Sequence, residues 1–341
     1  MVHGSLRRRL LRSVQTSVRH CSMPLMPERP ALLFFGASDF AVPTLHALNS
    51  DGYALRAVYT QPDRPAGRSR RVQSTPVAIA ARALGLPLEQ PARLRTPEVL
   101  DRLAAYEPDV VVLASYGLLV PPQALAVPRL GWLNVHPSLL PAYRGASPVA
   151  APILAGEEET GVSIFLMRAG LDDGPLLSQR RVPVDADETA GELTVRLAEL
   201  GADVLLDTLR RWSDGVVTPA EQDHALATYA SKLSREAARL DWSESAEHLA
   251  RRVRAYNPWP MAHTHWKGER LRVLRAHSDA SLGEGAGETF TTPDTRLPAV
   301  GTGDGALVLE QVQVAGGRAI DGRAFLAGHA DWTGSRVGEV G

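Results

Sequence analysis

Short apolar runs alternate with amphipathic stretches through the first two thirds of the chain. Ala31–Phe35 is an unbroken apolar run closed by Gly36, which predicts a buried strand and a tight turn. Beyond it, Ser38 or Asp39 is placed to cap a helix carrying Val42, Leu45 and Leu48 on one face. Ala54–Thr60 predicts the next strand, Pro76–Leu84 a helix, and Thr96-Pro97 the start of another. Val110–Ala114 is apolar at every position, as a strand covered on both faces must be. Strands separated by helices imply parallel pairing through crossover connections. Val162–Met167 and Leu176–Val184 add two strand-like segments. Thr189-Ala-Gly-Glu192 is a capping box opening a helix with Leu193, Leu197, Leu200 and Leu205 on its apolar side.

The pattern weakens from Ser213 to about Arg235, where Gly215, Pro219 and polar residues predict a linker. Beyond it the character changes. A helix near Ser245–Tyr256 is followed by short strand-like segments at Arg270–Arg275, Leu297–Thr302 and Ala306–Val314, separated by glycine-rich turns. The expected fold is an α/β, doubly wound Rossmann-like parallel-sheet domain followed by a small OB-like β-barrel. Its divisions are an extension over 1–29, a catalytic domain over 30–214, a linker over 215–236 and the barrel over 237–335.

Composition narrows the class. A chain of 341 residues, 44% hydrophobic and 22% charged, is long enough for two domains and excludes wholesale disorder. No stretch approaches the roughly 20 apolar residues of a membrane helix. The single cysteine, Cys21, excludes an internally disulfide-stapled scaffold and favours a reducing compartment. The formal charge of −1 hides an uneven distribution. Arg7, Arg8, Arg9, Arg12 and Arg19 precede the first acid, Glu28, as in a transit peptide or a leader upstream of a start at Met23 or Met26. A cytoplasmic, bacterial location is expected, with the mitochondrial matrix as the alternative if residues 1–25 are a transit peptide.

The candidate chemistry centres on Gly131-Trp-Leu-Asn-Val-His-Pro137. An extended segment puts Asn134 and His136 on one face, at the carboxyl end of a parallel strand, where open α/β sheets bind ligands. An amide beside an imidazole can stabilise an oxyanion while the imidazole handles a proton; a strand end with two hydrogen-bonded polar residues fits the same spacing. Gly170-Leu-Asp-Asp-Gly174 supplies adjacent carboxylates, one of which could meet the imidazole. Gly36–Phe40 lacks the glycine spacing of a dinucleotide site. His263-Thr-His265 has no third ligand nearby, so it predicts a surface strand and no metal. Between Gln61 and Arg95 stand seven arginines against two acids, Asp63 and Glu89. Flexible cations beside an α/β crevice suit phosphate contacts despite the negative net charge.

These residues together resemble the methionyl-tRNA formyltransferases, within the wider formyltetrahydrofolate-using family. The resemblance spans roughly residues 31–333. It runs through Gly36–Ala41, Gln61–Arg68, Ala114–Leu118, Asn134–Pro141, Arg144–Ala146, Glu159–Val162, Gly170–Asp172, Tyr229–Ser234 and Asn257–Met261. It implies that the amino group of methionine on initiator tRNA attacks the formyl carbon of 10-formyltetrahydrofolate, with no metal and no covalent enzyme intermediate. Asn134 and His136 would stabilise the oxyanion, and Asp172 would hold His136 protonated and help remove the amine proton. Ser138, Leu139, Leu140 and Pro141 would contact the folate, and Ala114, Ser115, Tyr116, Gly117 and Leu118 would line its pterin pocket. Arg64, Arg68, Arg70, Arg71, Lys232 and Arg235 would hold tRNA, bound by one monomer. Arg168 and Asp173-Gly174-Pro175 depart from the usual pattern of the 168–173 loop. Two other readings compete: a formyltransferase for an amino-sugar nucleotide, which would lack the arginine-rich loop, and a non-catalytic RNA- or folate-binding protein, against which the intact Asn-His-Asp set speaks.

Overall fold

The computed structural model describes residues 29–66 and 71–338. The basic leader with Cys21, and Arg68 and Arg70, lie outside the described residues; of Arg71 only the backbone is described.

Ala31–Gly36 is buried at every position, and its alternate side chains serve two cores. Leu32 and Phe34 join Leu193, Leu197 and Leu205 of the long helix. Leu33 and Phe35 join Leu94, Leu103 and Trp132 on the opposite face. A strand covered on both sides cannot alternate with polar residues, which explains the unbroken apolar runs. The 7-stranded sheet has the order Leu176–Pro183, Glu159–Leu166, Trp132–His136, Val110–Ala114, Ala31–Gly36, Ala54–Tyr59, Leu88–Glu89. Pairings from Trp132–His136 to Leu88–Glu89 are parallel, and those that add Glu159–Leu166 and Leu176–Pro183 are antiparallel. The expected doubly wound sheet is present, widened on one side by this pair.

The strand order reverses between Ala31–Gly36 and Val110–Ala114, which opens a crevice at their carboxyl ends. There the Ala37 N–H donates to the Ser115 carbonyl at 3.1 Å, and Ser38 Oγ donates to Ser115 Oγ at 2.8 Å. Ser38 therefore ties two loops together and makes no side-chain cap; the chain passes through a 3₁₀ turn, Asp39–Ala41, into the helix Val42–Ser50.

The helix Ala190–Ser213 opens on the expected capping box, with Glu192 N–H donating to Thr189 Oγ1 and Thr189 N–H to the Glu192 carboxylate. At Gly201 it approaches the sheet so closely that a Cβ would stand 2.8 Å from Val135 Cγ1. This packing lies directly behind Asn134 and His136.

The carboxy-terminal domain is a curled antiparallel sheet in the order His263–Trp266, Glu269–Asp279, Ala306–Val314, Pro298–Gly301, Thr289–Thr291. Its outer strands meet through the chain end, since Val337 bridges Trp266 and Arg336 bridges Glu288. The helix Ala246–Ala255 packs Leu249 and Val253 against Val273, Leu307, Leu309 and Trp332. His263 begins a strand as expected, but it is 8% exposed and inside the packing, not on the surface.

Two segments are more ordered than their composition suggests. Arg64–Ala66 pairs antiparallel with Arg71–Gln73, the two described flanks of the arginine-rich stretch. The expected linker lies along the catalytic domain: Ala220 bridges Leu176, and Tyr229–Ala230 pairs parallel with Arg144–Gly145. Both are held by backbone pairing, which hydrophobic periodicity does not report.

Candidate active site

Asn134 and His136 leave one face of Trp132–His136, while Leu133 and Val135 pack into the core behind it. Asn134 and His136 are 7% and 4% exposed. The Asn134 amide enters none of the side-chain hydrogen bonds among the described residues, so its donors face the crevice unspent. An ordinary hydrogen-bonded strand end would have consumed them.

His136 Nε2 lies 3.1 Å from the Tyr143 carbonyl, which can only accept, so Nε2 carries the hydrogen. Nδ1 faces Asp172 Oδ2 at 3.8 Å, and the ring stands edge-on to Phe165. Burial pushes the imidazole below its ordinary value, opposed by the Asp172 carboxylate and the Tyr143 carbonyl. In the neutral form of the ring, with the hydrogen on Nε2, the lone pair sits on Nδ1. The structure brings Asp172 and His136 together as expected, with burial and the carboxylate acting on the ring in opposite directions.

Asp172 adopts a left-handed backbone, φ 49°, and its Oδ2 accepts from the Gly145 N–H at 2.8 Å. Tyr143 (φ 60°) and Ser115 (φ 47°) share that conformation around the same crevice. Three non-glycine residues in this region persist only where surrounding contacts enforce them.

The residues expected to contact folate divide by burial. Ser138 is inaccessible, its hydroxyl donating to the Ala142 carbonyl at 2.7 Å, and Leu140 is 3% exposed. Both side chains shape the loop and present no surface. Ala114 and Tyr116 are likewise core residues, Tyr116 standing edge-on to Phe35. Ser115 and Gly117 are exposed, while Leu118, Leu139 and Pro141 are half-buried, so these five keep accessible surface.

Among the expected cations, Arg64, Lys232 and Arg235 are exposed. The strand pair bearing Arg64 is anchored at Asp63 by Ser74, Gln90 and Arg82, and the Gln90 amide above all holds its carboxyl below the usual range. Its base meets the 115–118 loop, where Gln61 Nε2 donates to the Tyr116 carbonyl at 2.8 Å. Arg235 borders a groove of about 260 Å³ with Trp259, His263, Arg270 and Arg272. No group of three or more possible metal ligands occurs among the described residues.

Sequence reasoning missed four contributors: the Tyr143 carbonyl, the Gly145 N–H, Arg144 and Gln222. The first two act through backbone atoms, which no side-chain pattern reveals. Arg144 is 2% exposed and Gln222 5% exposed, and Gln222 stands in the stretch that read as a linker.

Residues 28–209 match the family model described as formyl transferase, and residues 232–330 the one described as formyl transferase, C-terminal domain. A methionyl-tRNA formyltransferase of Chloroflexus aurantiacus is 46% identical over 302 residues, covering 88% of this chain and 97% of the relative. One from Roseiflexus castenholzii is 46% identical over 315 residues, covering 90% and 98%. Among solved structures, HypX from Aquifex aeolicus in complex with tetrahydrofolic acid has a TM-score of 0.62 at 17% identity. That match covers 89% of this chain and 48% of HypX, so the chain spans about half of the larger protein. WlaRD, a sugar 3N-formyl transferase in the presence of dTDP and 5-N-formyl-THF, has a TM-score of 0.62 at 15% identity, covering 85% and 99%. At these identities the structures share the fold.

Proposed function

We propose, because the chain belongs to the formyl transferase family, that it moves a formyl group from 10-formyltetrahydrofolate to the α-amino group of methionyl initiator tRNA. Relatives of that name, 46% identical over nearly their whole length, support this acceptor over an amino sugar. The arginine-bearing strand pair and the exposed cations at 232 and 235 are consistent with a polyanionic partner. A single monomer is proposed to bind one tRNA. No helix among the described residues is long and apolar enough to cross a membrane, and with bacterial relatives a cytoplasmic site of action is proposed.

The observation that carries the chemistry is the unspent Asn134 amide on the same strand face as an imidazole whose Nδ1 faces a carboxylate. The crevice fits a folate-borne formyl donor in that Ser115, Gly117 and Leu118 keep accessible surface next to Asn134's neighbouring strand. The donor supplies an activated formyl carbon. Asn134 would donate to the formyl oxygen as negative charge develops there, in a site already shielded from water. The attacking amine must shed a proton as the new C–N bond forms, and the formyl carbon's bond to N10 then breaks, with N10 taking a proton as tetrahydrofolate leaves. The Nδ1 lone pair of His136 and the Asp172 carboxylate are the acceptors at hand. Leu139 and Pro141, with Ser115, Gly117 and Leu118, are the proposed folate contacts; Ser138, Leu140, Ala114 and Tyr116 support them from beneath.

The test is a formylation assay with purified protein, 10-formyltetrahydrofolate and methionyl initiator tRNA, run beside a dTDP-amino sugar. N-formylmethionyl-tRNA is the expected product. Formyl transfer to the sugar alone, or folate and tRNA binding without turnover, would overturn the reading.

A further inference from the structure

Gln222 lies outside both the Asn-His-Asp set and the cations, yet its amide is fully engaged beside the site. Its Nε2 donates to the carbonyls of Asp172 (2.9 Å) and Gly174 (2.7 Å). Its Oε1 accepts from Arg144 Nη2 at 2.6 Å and Nε at 3.2 Å. The opposite amide orientation would set NH₂ against a guanidinium and oxygen against two carbonyls, so only one orientation satisfies the network. Arg144 is buried, and among the described residues its guanidinium meets Gln222 and His224 Nδ1 but no carboxylate. Glutamine at 222 thus faces a cation on one side and the backbone of the catalytic aspartate on the other.

The same segment makes further attachments to the two loops that frame His136. Glu221 forms a two-contact ion pair with Arg168, at the start of the Asp172 loop. Thr228 accepts from the Tyr143 N–H through its hydroxyl and from the Arg144 N–H through its carbonyl. Ala230 accepts from the Ala146 N–H. Two residues later the chain reaches Lys232. Arg168, which departs from the resembled pattern, is therefore matched by an acid on the segment it faces.

We propose that Gln222 is a positioning residue, through which the segment joining the two domains holds Asp172 in its left-handed conformation against Gly145 and His136. Asp172 pays for φ 49° with contacts to its carboxylate and to its carbonyl, and Gln222 supplies the second. Because the segment continues into exposed Lys232 and Arg235, its placement links the tRNA-facing surface to the geometry at Asp172. This rests on the reading of the site as a formyltransferase centre.

Gln222→Glu tests it. A glutamate still accepts from Arg144, so the fold keeps its buried contact, but it has no donor for the Asp172 and Gly174 carbonyls. The expected result is a loss of kcat of at least tenfold, little change in KM for methionyl-tRNA, and a melting temperature near wild type. The His136 titration, followed by NMR in the uncharged variant Gln222→Ala, should move further down as the Asp172 carboxylate drifts from Nδ1, as it should in Asp172→Asn. Gln222→Ala should lose kcat in the same way as Gln222→Glu. Unchanged kcat in both variants and an unchanged His136 titration in Gln222→Ala would overturn the proposal. If the wild-type protein formylates no tRNA, the functional reading fails, while the titration shift still tests the role of Gln222.

Discussion

At Asn134 and His136, side-chain chemistry and stability pull in opposite directions, and each has a measurable signature. An amide left without a protein partner at a mostly buried strand end adds nothing to stability, so it persists where it has a task. Asn134→Leu, of similar volume, should lower kcat by about 10²–10³-fold, the usual loss for one oxyanion donor. Its melting temperature should equal or exceed wild type. A destabilised Asn134→Leu would mean that the amide has a structural partner and is not held in reserve. For His136 the sign follows from burial. The unfolded chain binds a proton at the ordinary imidazole value of 6.5, while the folded chain binds it only at lower pH. Between those two values the unfolded state holds more protons, so stability is complete above 6.5 and is lost as pH falls through the folded value. Melting temperature between about pH 5 and pH 8 should therefore fall on the acid side, and less steeply in His136→Gln. Equal slopes in the two proteins would show that the ring is not shielded from water.

At the level of elements, what the sequence made legible depended on whether packing or pairing held the segment. Ala31–Gly36, Val110–Ala114 and Ala190–Ser213 carry their burial in their own composition, and their spans were readable to within a residue or two. Thr289–Thr291 and Tyr229–Ala230 are short, are held by backbone ladders, the second to the distant Arg144–Gly145, and show no period. The site divides the same way. Asn134, His136 and Asp172 stood out as candidates by side-chain type, but their spacing fitted an ordinary strand end and turn as well, and only the family resemblance gave them roles. Gly145 and Tyr143 act through main-chain atoms, and Gln222 looks like any polar residue between domains until Arg144 is brought beside it. The capping box at Thr189 is a legible element whose worth can be measured. Thr189 Oγ1 satisfies the Glu192 N–H, and the Glu192 carboxylate also receives Arg275 from the second domain. Thr189→Ala should cost about 1 kcal/mol in denaturant unfolding. It should also loosen the seam at which the Gly191 N–H donates to the Asn257 carbonyl. A neutral Thr189→Ala would show that Glu192 caps the helix without its partner.

Across the whole molecule, net charge is the wrong scale for judging affinity for a polyanion. The −1 of the chain sums a basic leader, an acidic bulk and an arginine-rich stretch. What matters is where unpaired cations stand. Many surface arginines are already committed, such as Arg168 to Glu221, Arg196 to Glu188 and Arg210 to Asp51. Arg64, Lys232 and Arg235 enter no ion pair among the described residues, and Arg235 borders the groove with Arg270 and Arg272. A committed cation releases few counterions on binding RNA, whereas a free one that reaches a phosphate releases its full share. The dependence of log K on log salt therefore counts the free ones, at about 0.7–0.9 per phosphate contact. Lys232→Ala with Arg235→Ala should weaken tRNA binding and flatten that slope by about 1–2. Arg196→Ala with Arg210→Ala, which removes the same charge from two committed pairs, should leave the slope unchanged although the formal charge falls equally. Equal flattening in both proteins would show that tRNA responds to the overall field of the molecule. A difference between them would place the phosphates along the segment that leads from Lys232 back to Gln222 and the Asp172 loop.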